Sequence, residues 1–102
     1  MDIATQTHLH ALRDLLDYRR QELAASLHAA EQARGAGQPD AGEQRQREEM
    51  ARVDAALQRL DGATYGDCLT CGQPIPLQRL LVQPAAERCA ACQSVLDGTL
   101  RR

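Results

Sequence analysis

Between Thr5 and Arg34 the chain has no glycine and no proline, and Leu9, Leu12, Leu16, Leu23, Leu27 and Ala30 recur at helical spacing. At about 100° per residue these six fall within an arc of roughly 60°, which predicts one long amphipathic helix with a narrow apolar stripe. Some thirty residues at about 1.5 Å each make an arm of roughly 45 Å, and a stripe of that length needs a partner helix. Gly35-Ala-Gly-Gln-Pro39-Asp40 then breaks the pattern. Gly35 or Gly37 suits a left-handed C-cap, while Asp40 with Glu43 has the spacing of a capping box that opens a second helix. Along that helix Met50, Val53, Leu57 and Leu60 step by three, four and three, the a/d pattern of a heptad seam. The expectation is an antiparallel coiled-coil hairpin over residues 1–62 with its tip near 35–42.

The seam is uneven. Near the tip the second helix offers Glu43, Gln44, Gln46 and Arg47, with no large apolar residue before Met50. Less apolar area is buried per turn there, so the tip is expected to fray more readily than the base. Gly62 is expected to end the second helix and hand the chain to a smaller module over 63–102.

In that module the hydrophobic pattern loses its period. Pro74 and Pro76 bracket Ile75 and favour extended or turn backbone, while Ala90 to Leu96 suits a short helix running up to Gly98. Leu69, Ile75, Leu77, Leu80, Leu81, Val82, Val95 and Leu96 are the candidates for a small core, and Tyr65 is expected to pack there. All four cysteines lie in this stretch, as Cys68-x-x-Cys71 and Cys89-x-x-Cys92 with seventeen residues between the pairs. Two intervening residues let the backbone turn so that both thiolates reach one ion at about 2.3 Å, and the longer loop brings the second pair round to complete a tetrahedron. Gly72, directly after the second cysteine, suits the positive φ of such a knuckle.

A pair of disulfides needs an oxidising compartment, and Met1 to Leu16 shows no apolar h-region or cleavage pattern. A redox Cys-x-x-Cys lacks its βαβ context. One structural zinc ion held by Cys68, Cys71, Cys89 and Cys92 is therefore expected, a closed site with no open position for catalysis. His8, His10 and His28 read as surface residues, since positions two apart on a helix do not share a face.

Composition agrees with a stapled fold. There is no Phe or Trp, only two Tyr, and much of the 43% hydrophobic content is Ala, so a thick core is not expected. Fourteen acidic residues against twelve basic ones give a net charge of −2, and every basic residue is arginine. No basic stripe emerges, Arg101-Arg102 standing at what reads as a loose end of the chain, and direct DNA binding is disfavoured. No apolar run approaches the length of a membrane span, and the expected location is the cytoplasm. No nucleophile, base and orienter group together, so an enzyme is not expected and no catalytic residue is named.

Tyr65-Gly-x-Cys68-x-x-Cys71-Gly-x-x-Ile75, Arg79-Leu80, Pro84 and Cys89-x-x-Cys92-Gln93 resemble the four-cysteine zinc finger of the TraR/DksA family of bacterial transcription regulators. The resemblance covers residues 65 to 93. It implies a coiled-coil hairpin beside the zinc module, and binding to RNA polymerase through the secondary channel. It also implies a tip motif Asp-x-x-Asp-x-Ala. Here the tip reads Asp40-Ala-Gly-Glu43-Gln-Arg45, where Asp40 matches, Glu43 is a conservative change and Arg45 replaces the alanine. These three are the tip contact candidates. Relatives that respond to the alarmone ppGpp use basic residues on the second helix and near the finger. Arg45 and Arg52 are counterparts on that helix, and Arg52 and Arg79 are the candidates for alarmone or polymerase contacts, while Gln93 stands where the responsive pattern has a basic residue.

The sequence thus points to an all-α chain with a small zinc finger: a coiled-coil hairpin, a C-terminal four-cysteine module and a short terminal helix. Three functions remain open at this stage. They are a regulator that binds RNA polymerase, a zinc-stapled coiled-coil protein acting on another partner, and a nucleic-acid binder held down by the acidic balance.

Overall fold

The computed structural model describes residues 1–100, with side chains as far as Gly98; Arg101 and Arg102 lie outside the described residues. Among the described residues five helices follow one another: α1 (Ile3–Thr7), α2 (Leu9–Arg34), α3 (Ala41–Asp61), α4 (Leu77–Val82) and α5 (Ala90–Leu100). Among the described residues there is no strand, only an isolated antiparallel bridge between Asp67 and Pro74. The molecule measures 47 × 38 × 20 Å, its length set by the paired helices α2 and α3.

The stripe read from α2 is the face it buries. Leu12, Leu16 and Leu23 are fully buried together with Val53 and Ala56 of α3, and Leu9, Met50, Leu57 and Leu60 pack around them. Leu15, one position off the stripe, is 42% exposed. Arg13 with Asp61, Arg20 with Asp54, Arg19 with Glu49, and Glu31 with Arg47 pair along the flanks. Numbers rising on α2 meet numbers falling on α3, so these pairs mark the antiparallel register. As exposed ion pairs each contributes only about 0–1 kcal/mol.

Several boundaries differ from the expectation. The first helix is not one run from Thr5. It opens at Ile3, where the Asp2 carboxylate accepts from Thr5 N–H at 2.8 Å, and it breaks at His8. There His8 N–H donates to the Thr5 carbonyl and the ring Nδ1 lies 2.9 Å from the Ala4 carbonyl, which satisfies the end of α1 locally. At the tip Gly35 has the expected positive φ of 65°. Asp40 caps α3 by accepting from Glu43 N–H at 2.8 Å, but the Glu43 carboxylate does not return the bond to Asp40. The capping box is half formed.

Gly62 follows the last residue of α3, yet the left-handed residue is Ala63, at φ 62°. Thr64 N–H donates to Arg59 O at 3.0 Å and Ala63 N–H to Leu60 O at 3.5 Å. That is a Schellman ending with alanine where glycine is usual. Helix α5 runs through Gly98 instead of stopping there. The expected module core is only partly right. Ile75 and Leu80 are buried and Leu77 partly so, but Leu69, Leu81, Val82, Val95 and Leu96 are exposed. The reason is that the module does not close on itself: its core joins that of the hairpin base, so Tyr65, Ile75 and Leu80 bury in one cluster with Leu12 and Leu16. Gly66 lies where the two parts approach. A Cβ there would come within 3.3 Å of Met1 Cγ and Thr5 Cγ2 and crowd them, and the φ of 89° favours glycine in its own right.

Candidate metal centre and the cleft beside it

The first cysteine pair sits on a tight knuckle. Cys68 N–H donates to Gln73 O and Gly72 N–H to Cys68 O, each at 2.9 Å, while Ile75 N–H donates to Gly66 O at 2.7 Å and closes the loop at its base. Gly72 takes φ 77°, as the knuckle demands. The second pair stands at the start of α5, where Gln93 N–H donates to the Cys89 carbonyl at 3.0 Å and places Cys92 in the first turn. Leu69 N–H donates to Glu87 O at 2.8 Å, tying the knuckle to the strand of chain that leads into Cys89. Arg79 Nε donates to Arg88 O at 2.9 Å and Arg88 Nε to Thr70 Oγ1 at 3.1 Å, bracing the same loop. Tyr65, fully buried, donates from its hydroxyl to the Pro84 carbonyl at 2.7 Å, and burial pushes its pKa up to about 12.

The four Sγ atoms all lie within 4.8 Å of one another. Bonds of about 2.3 Å to a central zinc require sulfur–sulfur edges near 3.8 Å, so small side-chain adjustments suffice. The chemistry of the donors also fits. Backbone N–H groups, Cys71's foremost, hold the Cys68 thiol down to about 6, so this sulfur is ready as a thiolate at neutral pH. Cys92 is pushed up to about 12, first by its hydrogen bond with Cys89, because a fourth negative sulfur in the cluster is unfavourable without a cation. A dication removes that penalty. Four thiolates leave no vacant coordination position, and the ion's role is to hold the module.

With this geometry stands a direct comparison: the family description "Prokaryotic dksA/traR C4-type zinc finger" matches residues 63–97. Residues 63–97 are thus a four-cysteine zinc finger of the dksA/traR type. It binds one structural zinc ion. The RNA polymerase-binding transcription factor DksA of Haemophilus influenzae is 34% identical over 53 residues, which are 52% of this chain and 37% of that protein. That of Caulobacter vibrioides is 39% identical over 49 residues, 34% of its length. The match thus spans only about a third of the length of these two relatives. The solved structure of transcription factor DksA2 from Pseudomonas aeruginosa superposes with a TM-score of 0.78 at 25% identity, covering 100% of this chain and 95% of that one. The polymerase-binding regulator of Chlamydia trachomatis, at a TM-score of 0.68 and 20% identity, shares the fold. The likeness to DksA-type structures therefore includes the hairpin, beyond the finger.

Outside the metal centre the family's candidate residues separate into two places. Arg52 and Arg79, far apart in sequence, line one cleft of about 1170 Å³ between the arm and the zinc module. Leu15, Tyr18, Leu81, Val82 and Gln93 line it too, so Leu81 and Val82, two of the exposed residues that the sequence assigned to a core, are cleft residues instead. The other place is the tip, where Asp40 and Arg45 are exposed. Glu43, expected at the surface, is buried. Its side chain is 5% exposed, with Arg34 donating to both carboxylate oxygens at 3.1 and 2.8 Å and Arg47 donating at 3.0 Å. These bonds, Arg34's above all, hold its carboxyl below the usual range. Sequence reading missed this because Glu43 was judged by its charge. Its position, seven residues before Met50, is on the heptad seam and predicts burial.

Proposed function

We propose that the chain regulates transcription by binding RNA polymerase, with the hairpin of residues 1–62 as a reaching arm and residues 63–102 as the module that seats it. The observation that carries this reading is the superposition of the whole chain on a DksA-type transcription factor, arm and finger together. The arm enters the secondary channel with its tip leading, and Asp40 and Arg45 are the tip groups offered to the polymerase. The cleft beside the arm, with Arg52 and Arg79 on opposite walls, receives a surface element of the enzyme. It is also where ppGpp contact is to be tested, Arg79 already spending one donor on Arg88 O. The protein acts by occupancy and electrostatics, without catalysis of its own, in the cytoplasm and without direct DNA contact, in keeping with its net charge of −2.

The test uses the zinc-loaded chain and purified core RNA polymerase. Binding is read by fluorescence anisotropy, and a photo-crosslinking residue at Gln38 reports what the tip touches. Saturable binding, with crosslinks to the lining of the secondary channel, is the expected result. No binding at micromolar polymerase rejects the reading; binding with crosslinks only to the outer surface rejects the channel and leaves the polymerase as partner. Adding ppGpp to the same titration decides the alarmone: Arg52→Ala and Arg79→Ala should then abolish any tightening it causes.

A further inference from the structure

The tip is held by charge where the rest of the seam is held by hydrocarbon. Arg34, the last residue of α2, donates from Nη1 to the Gly37 carbonyl at 2.6 Å and grips Glu43 of α3 with Nε and Nη2. Arg47 completes the clamp by spanning Glu43 at 3.0 Å and Glu31 of α2 at 3.2 Å. Arg34 thus ties the turn and α3 to the end of α2, and Arg47 bridges the two helices. A turn behind this clamp the Ser26 hydroxyl donates to Gln46 at 3.1 Å, so the polar seam is continuous. The sequence-based expectation of a frayed tip overlooks this lattice.

The clamp has a consequence for what the tip displays. Asp40 is fastened through its Oδ1 to the backbone N–H of Glu43, the residue the clamp immobilises. A Cβ on Gly42 would stand 3.4 Å from Asp40 Oδ1 and 3.8 Å from Arg45 Nη2, so glycine leaves the carboxylate and the guanidinium bare on the same side. We propose that Glu43 is a positioning residue of the tip: its clamp with Arg34 and Arg47 sets the turn so that Asp40 and Arg45, an acid and a base together, are the groups presented to the partner. The second acid of the tip is withheld from contact. This rests on the reading of the chain as a polymerase-channel protein.

Glu43→Gln preserves size and the backbone N–H that Asp40 caps, while removing the charge both arginines hold; Asp40→Asn keeps the cap and removes the displayed charge. In transcription in vitro at saturating protein, each is expected to weaken the effect at least about threefold. The decisive variant combines the substitutions. If Glu43 acts through the two groups it positions, Glu43→Gln adds nothing once Asp40 is Asn and Arg45 is Gln; fold-changes that multiply overturn the proposal and make Glu43 an independent contact. Arg34→Gln opens the clamp from α2 and should reproduce the pattern. Amide exchange supplies an arm that needs no polymerase. Residues 37–43 should exchange at least about tenfold faster in Glu43→Gln while Val53 to Leu57 stay protected, and unchanged exchange at the tip overturns the clamp. Failure of the wild-type chain to bind polymerase rejects the functional reading instead, and is told apart by that exchange result.

Discussion

Leu15 and Leu16 are neighbours in the chain with opposite environments, and truncating each in turn tests the packing of the hairpin. Leu16 is 1% exposed, in the cluster that also holds Leu12, Val53 and Ala56. Leu16→Ala removes three carbons, about 0.8 kcal/mol each in transfer terms, or about 2.4 kcal/mol. The neighbours sit on two rigid helices and cannot close the gap fully, so the cavity term raises the total to roughly 3 kcal/mol. Leu15, 42% exposed on the cleft wall, leaves a space that water fills, and Leu15→Ala should cost about 1 kcal/mol or less. Urea unfolding followed by helical circular dichroism, in excess zinc so that the metal stays bound, reads the difference. Leu16→Ala should lower the midpoint by roughly 2 M with the slope unchanged, and the melting temperature by about 10–20 °C. Equal losses in the two variants would refute the assigned face. A large loss in Leu15→Ala alone would mean that α2 is rotated by about a quarter turn or more.

Ala63→Gly should stabilise the protein by about 0.5–1 kcal/mol, since glycine relieves the left-handed backbone at φ 62° at some entropic cost, and a lowered melting temperature contradicts it. Tyr65→Phe removes the bond to the half-buried Pro84 carbonyl and should cost about 1 kcal/mol, with melting of the zinc-loaded protein as the measure. Zinc affinity, followed by competition with a chelating dye, should fall at least about tenfold per pH unit from pH 8 to 6. The sign follows from Cys92: its raised pKa keeps the proton on in the metal-free site, zinc must displace it, and acid opposes that step. Below about pH 6 Cys68 takes up a proton as well, and the dependence should steepen. Acid should also loosen the tip. The Glu43 carboxyl is depressed in the folded state, so its clamp is complete above the ordinary carboxylate value and is lost as pH falls below it through the folded value. Amide exchange at residues 37–43 that does not change between pH 6 and pH 3, after correction for intrinsic rates, contradicts this.

The hairpin and the metal centre were legible in the residues because each depends on a local rule. A stripe of leucines repeating at helical spacing admits one buried face, and Leu12, Leu16 and Leu23 occupy it. Two Cys-x-x-Cys pairs dictate their own turns, and the sulfurs meet whatever the loop between them does. What the residues did not disclose depends on how the two parts meet. Leu81 and Val82 look like core by composition, yet they face the cleft, because the module buries Tyr65, Ile75 and Leu80 against the hairpin base and leaves its other side open. Arg52 and Arg79 carry no signal of proximity, since 27 positions separate them along the chain and only the angle between arm and module brings them to one cleft. Glu43 is the intermediate case. Its heptad position foretold burial, but a buried carboxylate needs cations, and only the folding of α3 back against α2 delivers Arg34 to join Arg47 around it.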